Sequence, residues 1–267
     1  MTIVQSVFLG IVQGLTEFLP ISSSAHLNIM PWLFGWQEIP ASFDIALHFG
    51  TLLAICIYFF KDWIDLIVGG YKQVIKKEKS TNGNIFWYIV IATIPTGILS
   101  IVLDKLTDKI IGDNINIEMG LIAVALIILG IVLYLVDKKS PSEVDYEEIN
   151  FKQGFLIGLS QAIAAAFPGV SRSGITMTVS RMFKIDRESA AKYSFLLSTP
   201  VVLAAVLVNL GDFVFSIPFV LGVLASFISG LFVIKFLMGY LKKGSFKIFA
   251  IYRVILGLII FAAMFIK

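Results

Sequence analysis

Two short segments of this sequence place ionisable and hydroxyl side chains together between long apolar stretches. Residues 13–26 (QGLTEFLPISSSAH) contain a carboxylate, three consecutive serines and an imidazole. Residues 167–174 (FPGVSRSG) contain an arginine with one serine on each side. A charged group in an apolar environment is costly, so it normally has an oppositely charged partner and a functional reason. We therefore expect the carboxylate of Glu17 to pair with the guanidinium of Arg172.

The serines of both segments follow a proline, Pro20 or Pro168, at which the chain is expected to break and restart as a helix. Serines in the first turn of a helix cap free backbone N–H groups, and the N-terminus of a helix has a partial positive charge. Two such N-termini together with the guanidinium of Arg172 predict an anion site. Phosphate suits this site best, because its oxygens accept hydrogen bonds from both kinds of donor.

Glu17, Ser23 and His26 are the residues of the first segment that could take part in a reaction. Gln13 and Glu17 are four residues apart, so they share one face of a helix. The Glu17 carboxylate could act as a general base or, with Gln13 and substrate phosphates, hold a divalent cation. His26 follows Ser23 by three residues, and a hydroxyl beside an imidazole is an arrangement that activates a nucleophile.

Simpler structural explanations of the same residues stay open. The serines could be helix caps without a catalytic role, and His26 could be a packed polar residue. The pair of Glu17 and Arg172 could serve only to stabilise the fold. Asp44 and His48, one helical turn apart, could line the same cavity, but we favour an interpretation that leaves them outside it.

The composition is typical of a protein embedded in a membrane. Of the 267 residues, 58% are hydrophobic and 15% are charged, and the mean hydropathy is +0.91. Soluble domains have a charged fraction of about 25%. The sequence therefore predicts a polytopic membrane protein, with the membrane as a partner and no nucleic acid. The lone cysteine, Cys56, is expected to be a packed thiol, and Arg253 is expected to extend its charged end to the membrane interface.

Six apolar stretches are long enough to cross the hydrocarbon layer, which takes about 20 residues. They cover residues 43–61, 84–104, 116–137, 189–209, 213–238 and 246–266. The segments 2–36 and 152–185 each contain two shorter apolar runs that meet at a proline. We interpret them as re-entrant hairpins, with a kinked full span as the alternative. The predicted fold is all-α, with six transmembrane helices, two re-entrant hairpins and about ten helices in total.

The two hairpins begin the two halves of an internal repeat, residues 1–137 and 152–267, within a single membrane domain of residues 1–267. A shift of 148 residues aligns, without a gap, Gly10, Gln13, Pro20 and Ser23 with Gly158, Gln161, Pro168 and Ser171. The same shift places Ser24 opposite Arg172 and His26 opposite Gly174. The acid therefore occurs in the first copy, and the cation occurs in the second copy. Because each half contains three spans, the second copy is predicted to be inverted relative to the first.

Lysine and arginine are distributed unequally between successive loops. Residues 1–44 contain neither, whereas the loop after the first span contains Lys61, Lys72, Lys76, Lys77 and Lys79. Because cytoplasmic loops have the excess of basic residues, both termini and the first hairpin are predicted on the outer side. The second hairpin then enters from the cytoplasm, and residues 138–150 (KKSPSEVDYEEIN) are predicted to be a flexible cytoplasmic linker.

In its two polar segments the sequence resembles the undecaprenyl-diphosphate phosphatase family, also called the bacitracin-resistance BacA or UppP family. The family motifs (E/Q)xxxE and PxSSxxH match QGLTE at 13–17 and PISSSAH at 20–26, and PGxSRSG matches PGVSRSG at 168–174. The resemblance extends over nearly the whole chain. Two departures are Gln13, where the family often has glutamate, and Ala25, where it commonly has glycine. The first departure leaves Glu17 as the main carboxylate for a metal ion.

The resemblance implies an acid anhydride hydrolase that converts undecaprenyl diphosphate to undecaprenyl phosphate and inorganic phosphate. Such an enzyme would lie in the bacterial plasma membrane with its site open to the extracytoplasmic side. It would recycle the lipid carrier of peptidoglycan synthesis and confer bacitracin resistance. The implied cofactor is a divalent cation, Mg²⁺ or Ca²⁺, with Glu17 as a ligand.

The same resemblance implies a role for each polar residue. Glu17 would be the essential acid and Arg172 the phosphate clamp. Ser23 would be the nucleophile and His26 its acid/base partner. The substrate-binding residues would be Gln13, Ser22, Ser24, Ser171, Ser173 and Thr176.

A transporter or flippase for a polyprenyl phosphate lipid is the alternative function. Inverted repeats with helices broken near the membrane midplane are also a transporter architecture. The division of acid and cation between the two copies favours the hydrolase, because a symmetric transporter has less need of it. A polyprenyl diphosphate lipid is thus the expected substrate, and a homodimer is one oligomeric state compatible with the sequence.

Overall fold

A computed structural model describes residues 1–111 and 114–266 of the chain. This part is all-helical and contains no strand, only an isolated bridge between Val144 and Ile185. Its eleven α-helices are α1 (Ile3–Phe18), α2 (Ser23–Phe34), α3 (Ala41–Tyr58), α4 (Phe60–Ile75), α5 (Thr81–Ile111), α6 (Ile115–Lys139), α7 (Phe151–Ala166), α8 (Arg172–Met182), α9 (Arg187–Val208), α10 (Ile217–Leu241) and α11 (Lys247–Ile266). The predicted all-α fold is confirmed.

Six of the described helices, α3, α5, α6, α9, α10 and α11, are long and apolar enough to cross a membrane. The six predicted spans are therefore confirmed, and the chain is a multi-pass membrane protein. The observed bounds differ from the predicted ones by one to seven residues at nearly every helix end, and most at the end of α5, which is Ile111 rather than residue 104. Helix α3 ends at Tyr58 rather than at residue 61, and α10 begins at Ile217 rather than at residue 213. The later start of α10 follows from Ser216, which caps its first turn, and from Pro218, which is favoured there.

Helix α4 lies where the sequence prediction has a lysine-rich loop. It raises the number of described helices to eleven, one above the predicted ten or so. Its buried residues are Leu66, Gly69 and Gly70, whereas apolar side chains such as Ile64 and Ile67 are exposed. A short amphipathic helix is missed by a search for long apolar stretches, because its charged face lowers the mean hydropathy.

Two helix–break–helix units correspond to the predicted re-entrant hairpins. Residues 19–22 separate α1 from α2, and residues 167–171 separate α7 from α8. The four helices have 16, 12, 16 and 11 residues, fewer than the roughly 20 that a span requires. The two units support the predicted repeat, whose boundaries stay a prediction.

The second break is one residue longer than the first, and this corrects the ungapped alignment of the two units. Helices α1 and α7 begin 148 residues apart, but their partners α2 and α8 begin 149 residues apart, after the N-caps Ser22 and Ser171. Ser23 is therefore opposite Arg172, and every later pairing shifts by one residue. The longer break contains Gly169, whose φ of +85° is readily adopted only by glycine.

Helices α1 and α7 each pack against a helix of the other half. Gly10 and Gly14 allow α1 to approach α10 closely, since a Cβ at Gly14 would lie 2.7 Å from the backbone nitrogen of Gly230. Helix α7 packs on α5, where Thr96 donates a hydrogen bond of 2.9 Å to the carbonyl of Gly158. The packing of α1 on α10, of α7 on α5 and of α6 on α11 connects the two halves and holds both breaks within one bundle.

The linker of residues 138–150 is held by specific contacts, so the prediction of a flexible linker is wrong. The backbone N–H of Asp186 donates to the carbonyl of Val144 at 2.9 Å. Arg181 is fully buried and donates to the carbonyl of Pro141 at 3.2 Å and to the carboxylate of Asp137 at 3.0 Å. A buried guanidinium needs several acceptors, and the linker backbone supplies them.

Replacing Asp137 with asparagine is expected to lower the free energy of unfolding by about 3–5 kcal/mol. The Asp137 carboxylate is buried and accepts hydrogen bonds from Arg181 at 3.0 Å and from Arg187 at 2.8 Å. Its neutralisation leaves a buried guanidinium without a counter-charge. Unfolding by denaturant in detergent measures the change. Glu143→Gln is the control, because its pair with Lys184 is exposed and contributes at most about 1 kcal/mol. Equal losses for the two variants would contradict the prediction.

Candidate active site

The two chain breaks end in serine N-caps of the same unusual geometry. Ser22 caps α2 with φ +74°, and Ser171 caps α8 with φ +67°. Each hydroxyl accepts a hydrogen bond from the backbone N–H three residues later, that of Ala25 at 3.4 Å or that of Gly174 at 3.0 Å. A positive φ is rare outside glycine, and such strained positions cluster at functional sites. The capped helix N-termini expected from the sequence are present.

Glu17, in the last turn of α1, joins the two units. Arg172, the first residue of α8, donates to Oε1 of Glu17, and Ser23, the first residue of α2, donates to Oε2 at 2.6 Å. The side chain of Glu17 is 4% exposed, whereas that of Arg172 is 22% exposed. The predicted pair of Glu17 and Arg172 is therefore present, with a hydroxyl on the same carboxylate.

His48 and Asp44 belong to this cluster, although the sequence interpretation leaves them outside it. Nδ1 of His48 is 3.5 Å from Oε2 of Glu17 and 2.9 Å from Nε2 of Gln13. Oδ2 of Asp44 is 3.9 Å from Nε2 of His48. Gln13 also donates to Oε2 of Glu17 at 3.1 Å. The one-turn spacing of Asp44 and His48 indicates a shared helix face, but only the packing of α3 on α1 directs that face to Glu17.

Ser173 connects the backbones of the two units. Its hydroxyl is within donor distance of two carbonyls of the first unit, that of Glu17 at 3.1 Å and that of Leu19 at 3.2 Å. Ser173 also contacts the cap hydroxyl of Ser171 at 3.3 Å. Ser173 therefore positions the N-terminus of α8 against the end of α1.

The other hydroxyls predicted to bind substrate have different surroundings. Ser24 is exposed and contacts the hydroxyl of Ser22 at 3.2 Å. Thr176 is fully buried, donates to the carbonyl of Arg172 at 2.9 Å and contacts the hydroxyl of Ser194 at 2.6 Å. Ser24 is thus accessible to a ligand, whereas Thr176 connects α8 to α9. The binding role of each stays a prediction.

His26 is buried beside α11, and its ring nitrogens are engaged by groups other than Ser23. Nδ1 is 2.6 Å from the carbonyl of Ser22, and Nε2 is 2.7 Å from the hydroxyl of Tyr252. The two rings stack at 5.7 Å between centroids with an interplanar angle of 7°. The structure therefore pairs Ser23 with Glu17 and not with His26. The catalytic role of His26 stays a prediction.

Replacing Tyr252 with phenylalanine is expected to lower kcat about two- to tenfold. The change keeps the stacked ring but removes one hydrogen bond from His26, which is worth about 0.5–1.5 kcal/mol. The measurement is the release of phosphate from a short-chain prenyl diphosphate, the class of substrate that the sequence resemblance implies. Tyr240→Phe is the control, because it removes a hydroxyl that donates to the carbonyl of Ser245 at 2.9 Å in the segment between α10 and α11. Unchanged kcat in Tyr252→Phe would contradict the prediction.

Arg253 does not extend to the membrane interface, so that prediction is wrong. Its side chain is turned inward, and the residue is 1% exposed. The guanidinium has polar partners inside the bundle, because backbone carbonyls at the chain breaks point toward it. The sequence prediction rested on the closeness of Arg253 to the start of an apolar span, and that spacing contains no information about acceptors on other helices.

A cavity of about 830 Å³ adjoins this cluster on the side of α2, α3 and α6. Its lining includes Asn28, Trp32, Glu38, Asp44 and Glu118. Because Asp44 also approaches His48, which contacts Glu17, the cavity leads toward the cluster. Its carboxylates make the cavity acidic.

The chain matches known proteins over almost its entire length. The family model described as bacitracin resistance protein BacA covers residues 6–259. The chain is 45% identical to the undecaprenyl-diphosphatase of Caldicellulosiruptor bescii, over 98% of this chain and 97% of that protein. It is 39% identical to the undecaprenyl-diphosphatase of Moorella thermoacetica, over 100% of both chains. Every residue of the cluster lies within the matched range, and this chain belongs to the bacitracin resistance protein BacA family.

Proposed function

We propose that this protein hydrolyses undecaprenyl diphosphate to undecaprenyl phosphate and inorganic phosphate. The observation that supports this most directly is the contact of Glu17 with both Ser23 and Arg172. A proton acceptor, a hydroxyl nucleophile and a cation that fits phosphate oxygens are thereby held together at two helix N-termini. The family membership and the names of the relatives agree with this activity. The reaction recycles the lipid carrier of peptidoglycan synthesis and underlies bacitracin resistance.

The diphosphate binds where Arg172 and the N-termini of α2 and α8 converge. Oxygens of the substrate compete with Glu17 for the guanidinium of Arg172. When they replace Glu17 there, its carboxylate is free to accept the proton of Ser23. Oγ of Ser23 then forms a bond to the terminal phosphorus, and the bond from that phosphorus to the bridging oxygen breaks. The bridging oxygen keeps the electron pair and leaves as part of undecaprenyl phosphate. A water oxygen then bonds to the phosphorus of the phosphoserine, the bond from that phosphorus to Oγ of Ser23 breaks, and Oγ takes a proton from this water. The proton held by Glu17 passes to the departing inorganic phosphate, which restores the carboxylate.

A divalent cation, Mg²⁺ or Ca²⁺, fits the donor set of this cluster in part. The described residues contain no group of three His, Cys, Asp or Glu side chains suited to a metal. However, Oε1 of Gln13 is buried without a hydrogen-bond partner, next to the carboxylate of Glu17. Two hard oxygen donors suit an ion that is held mainly by substrate phosphates. Gln13 and Glu17 would hold the ion, which would neutralise charge on the diphosphate.

We further propose that the site opens to the extracytoplasmic side of the bacterial plasma membrane. The lysine-free N-terminal segment and the cavity beside Asp44 support this orientation. Water enters and inorganic phosphate leaves through the cavity, whose carboxylates repel the product. The polyprenyl tail extends between helices into the lipid. A homodimer stays a prediction.

Hydrolysis of a short-chain prenyl diphosphate by purified protein in detergent tests the proposed function. We expect phosphate release that EDTA lowers at least about tenfold and that added Mg²⁺ or Ca²⁺ restores. Ser23→Ala is expected to release phosphate about a hundredfold more slowly, because water near Glu17 can still react. If the parent releases no phosphate but moves a polyprenyl phosphate across vesicles, the protein is a transporter. If Ser23→Ala equals the parent, a water held by Glu17 is the nucleophile.

A further inference from the structure

Arg253 of α11 connects the two chain breaks. Its Nη1 donates to the carbonyl of Pro20 at 3.4 Å. Its Nη2 faces three carbonyls, those of Val170 at 3.1 Å, Gly169 at 3.4 Å and Ala125 at 3.4 Å. Pro20 belongs to the first break, and Gly169 and Val170 belong to the second. One buried side chain therefore bridges both breaks.

The carbonyls that Arg253 contacts lie just before the two helix N-caps. Pro20 precedes the cap Ser22 by two residues, and Val170 precedes the cap Ser171 by one. Because each peptide unit is planar, the orientation of these carbonyls limits the directions of the N–H groups that follow. The guanidinium therefore holds the N-termini of α2 and α8 at a defined separation.

Gly174 allows this close approach in the first turn of α8. A Cβ at that position would lie 2.6 Å from Nη1 of Arg253, so any side chain there would displace the guanidinium from its present position. The absence of a side chain at residue 174 thus lets the guanidinium approach the helix end itself. This contact places a positive charge beside the turn that contains Arg172.

The charge of Arg253 has no carboxylate partner among the described residues. The other three arginines of the sequence, Arg172, Arg181 and Arg187, each pair with a carboxylate. Nε of Arg253 also lacks a hydrogen-bond partner within the described chain. A buried charge without a counter-ion is destabilising, so its retention needs a reason. An anion bound at the nearby helix N-termini would supply the compensating charge.

We propose that Arg253 is a positioning residue for the diphosphate. It holds the two helix N-termini together and adds a buried positive charge that is compensated when the diphosphate binds. In a low dielectric this charge acts over several ångströms and adds to the partial charges of the helix ends. The identity of the substrate rests on the proposed function, whereas the preference for a diphosphate anion does not depend on hydrolysis.

Two variants of Arg253 and one control separate charge, geometry and folding. Arg253→Gln removes the charge, and Arg253→Lys keeps the charge but replaces the planar fork with a single ammonium. Arg181→Lys is the control, because Arg181 is also fully buried and bonded to backbone carbonyls, but at the opposite end of α8. The full chain in detergent is assayed for the dissociation constant of methylenediphosphonate, the thermal unfolding temperature and kcat with a short-chain prenyl diphosphate.

We expect Arg253→Gln to weaken methylenediphosphonate binding at least about tenfold, because the buried positive charge that the bound anion compensates is lost. Arg253→Lys should bind within about threefold of the parent but lose about tenfold in kcat, since one ammonium cannot bridge both breaks. Arg181→Lys should lower the unfolding temperature and leave binding unchanged.

The inference is overturned if Arg253→Gln binds the diphosphonate as tightly as the parent, or if Arg181→Lys weakens binding equally. If Arg253→Gln does not fold, Arg253→Lys decides, and an unchanged kcat there would refute the positioning role. A parent that binds the diphosphonate but releases no phosphate would refute the proposed function alone.

Discussion

Phosphate release is expected to fall about a thousandfold when Glu17 is replaced with glutamine, the size of effect typical of losing a general base. Glutamine keeps the shape of the side chain and can still contact Ser23 and Arg172, but it cannot accept the proton of Ser23. The decrease should appear in kcat, because substrate binding depends mainly on Arg172 and the helix N-termini. Steady-state release of phosphate from a short-chain prenyl diphosphate measures it.

The double variant Glu17→Gln/Arg172→Gln tests whether the buried pair is only structural. If the pair serves only to stabilise the fold, removing both charges should restore much of the activity that each single change removes. If both residues act in the reaction, the double variant should be as inactive as the worse single variant. Recovery of activity in the double variant would therefore exclude our assignment of Glu17 as the base.

The second large effect is expected at Arg172, where replacement by glutamine should lower kcat/KM by about a thousandfold. Arg172 is a permanently charged, planar donor whose partly exposed end can bind two phosphate oxygens. Arg172→Lys should retain part of the activity, because it keeps the charge but not the paired donors. Kinetics with the same prenyl diphosphate measure both variants.

Lys184→Gln is the matched control for the loss of one positive charge. Lys184 pairs with Glu143 at 2.8 Å, and both side chains are 54% exposed. Its replacement should leave kcat/KM unchanged. A similar decrease in Lys184→Gln and Arg172→Gln would indicate that overall charge, rather than a phosphate contact at Arg172, controls the rate.

The pairing of Glu17 with Arg172 could be predicted because charge is rare in this sequence. In a chain with 15% charged residues, a lone carboxylate and a lone arginine beside serine-rich helix starts have few other partners. The energetic cost of leaving either unpaired in an apolar environment makes contact between them the favoured arrangement. Ser23 could be assigned to the same place, since it follows Pro20 within a few residues.

His48, Tyr252 and Arg253 show where this reasoning fails. Each is joined to the site by contacts across helices, such as that of Tyr252 with His26, 226 residues earlier in the chain. Apolar periodicity indicates that a helix is buried, but membrane helices are apolar on most faces, so it does not indicate which neighbour they contact. The partner of each polar side chain therefore depended on helix packing.

By itself, the sequence determined the membrane class, the six spans, the two proline breaks and the central ion pair. These features depend on hydrophobicity over about 20 residues, on proline chemistry and on the cost of buried charge, all of which are local properties. Only the tertiary structure decided that α3 and α11 complete the site, that the second break is one residue longer, and that Arg253 bridges both breaks. Those outcomes arise from close packing between distant helices and from hydrogen bonds to backbone carbonyls, which every residue has and which no sequence pattern distinguishes.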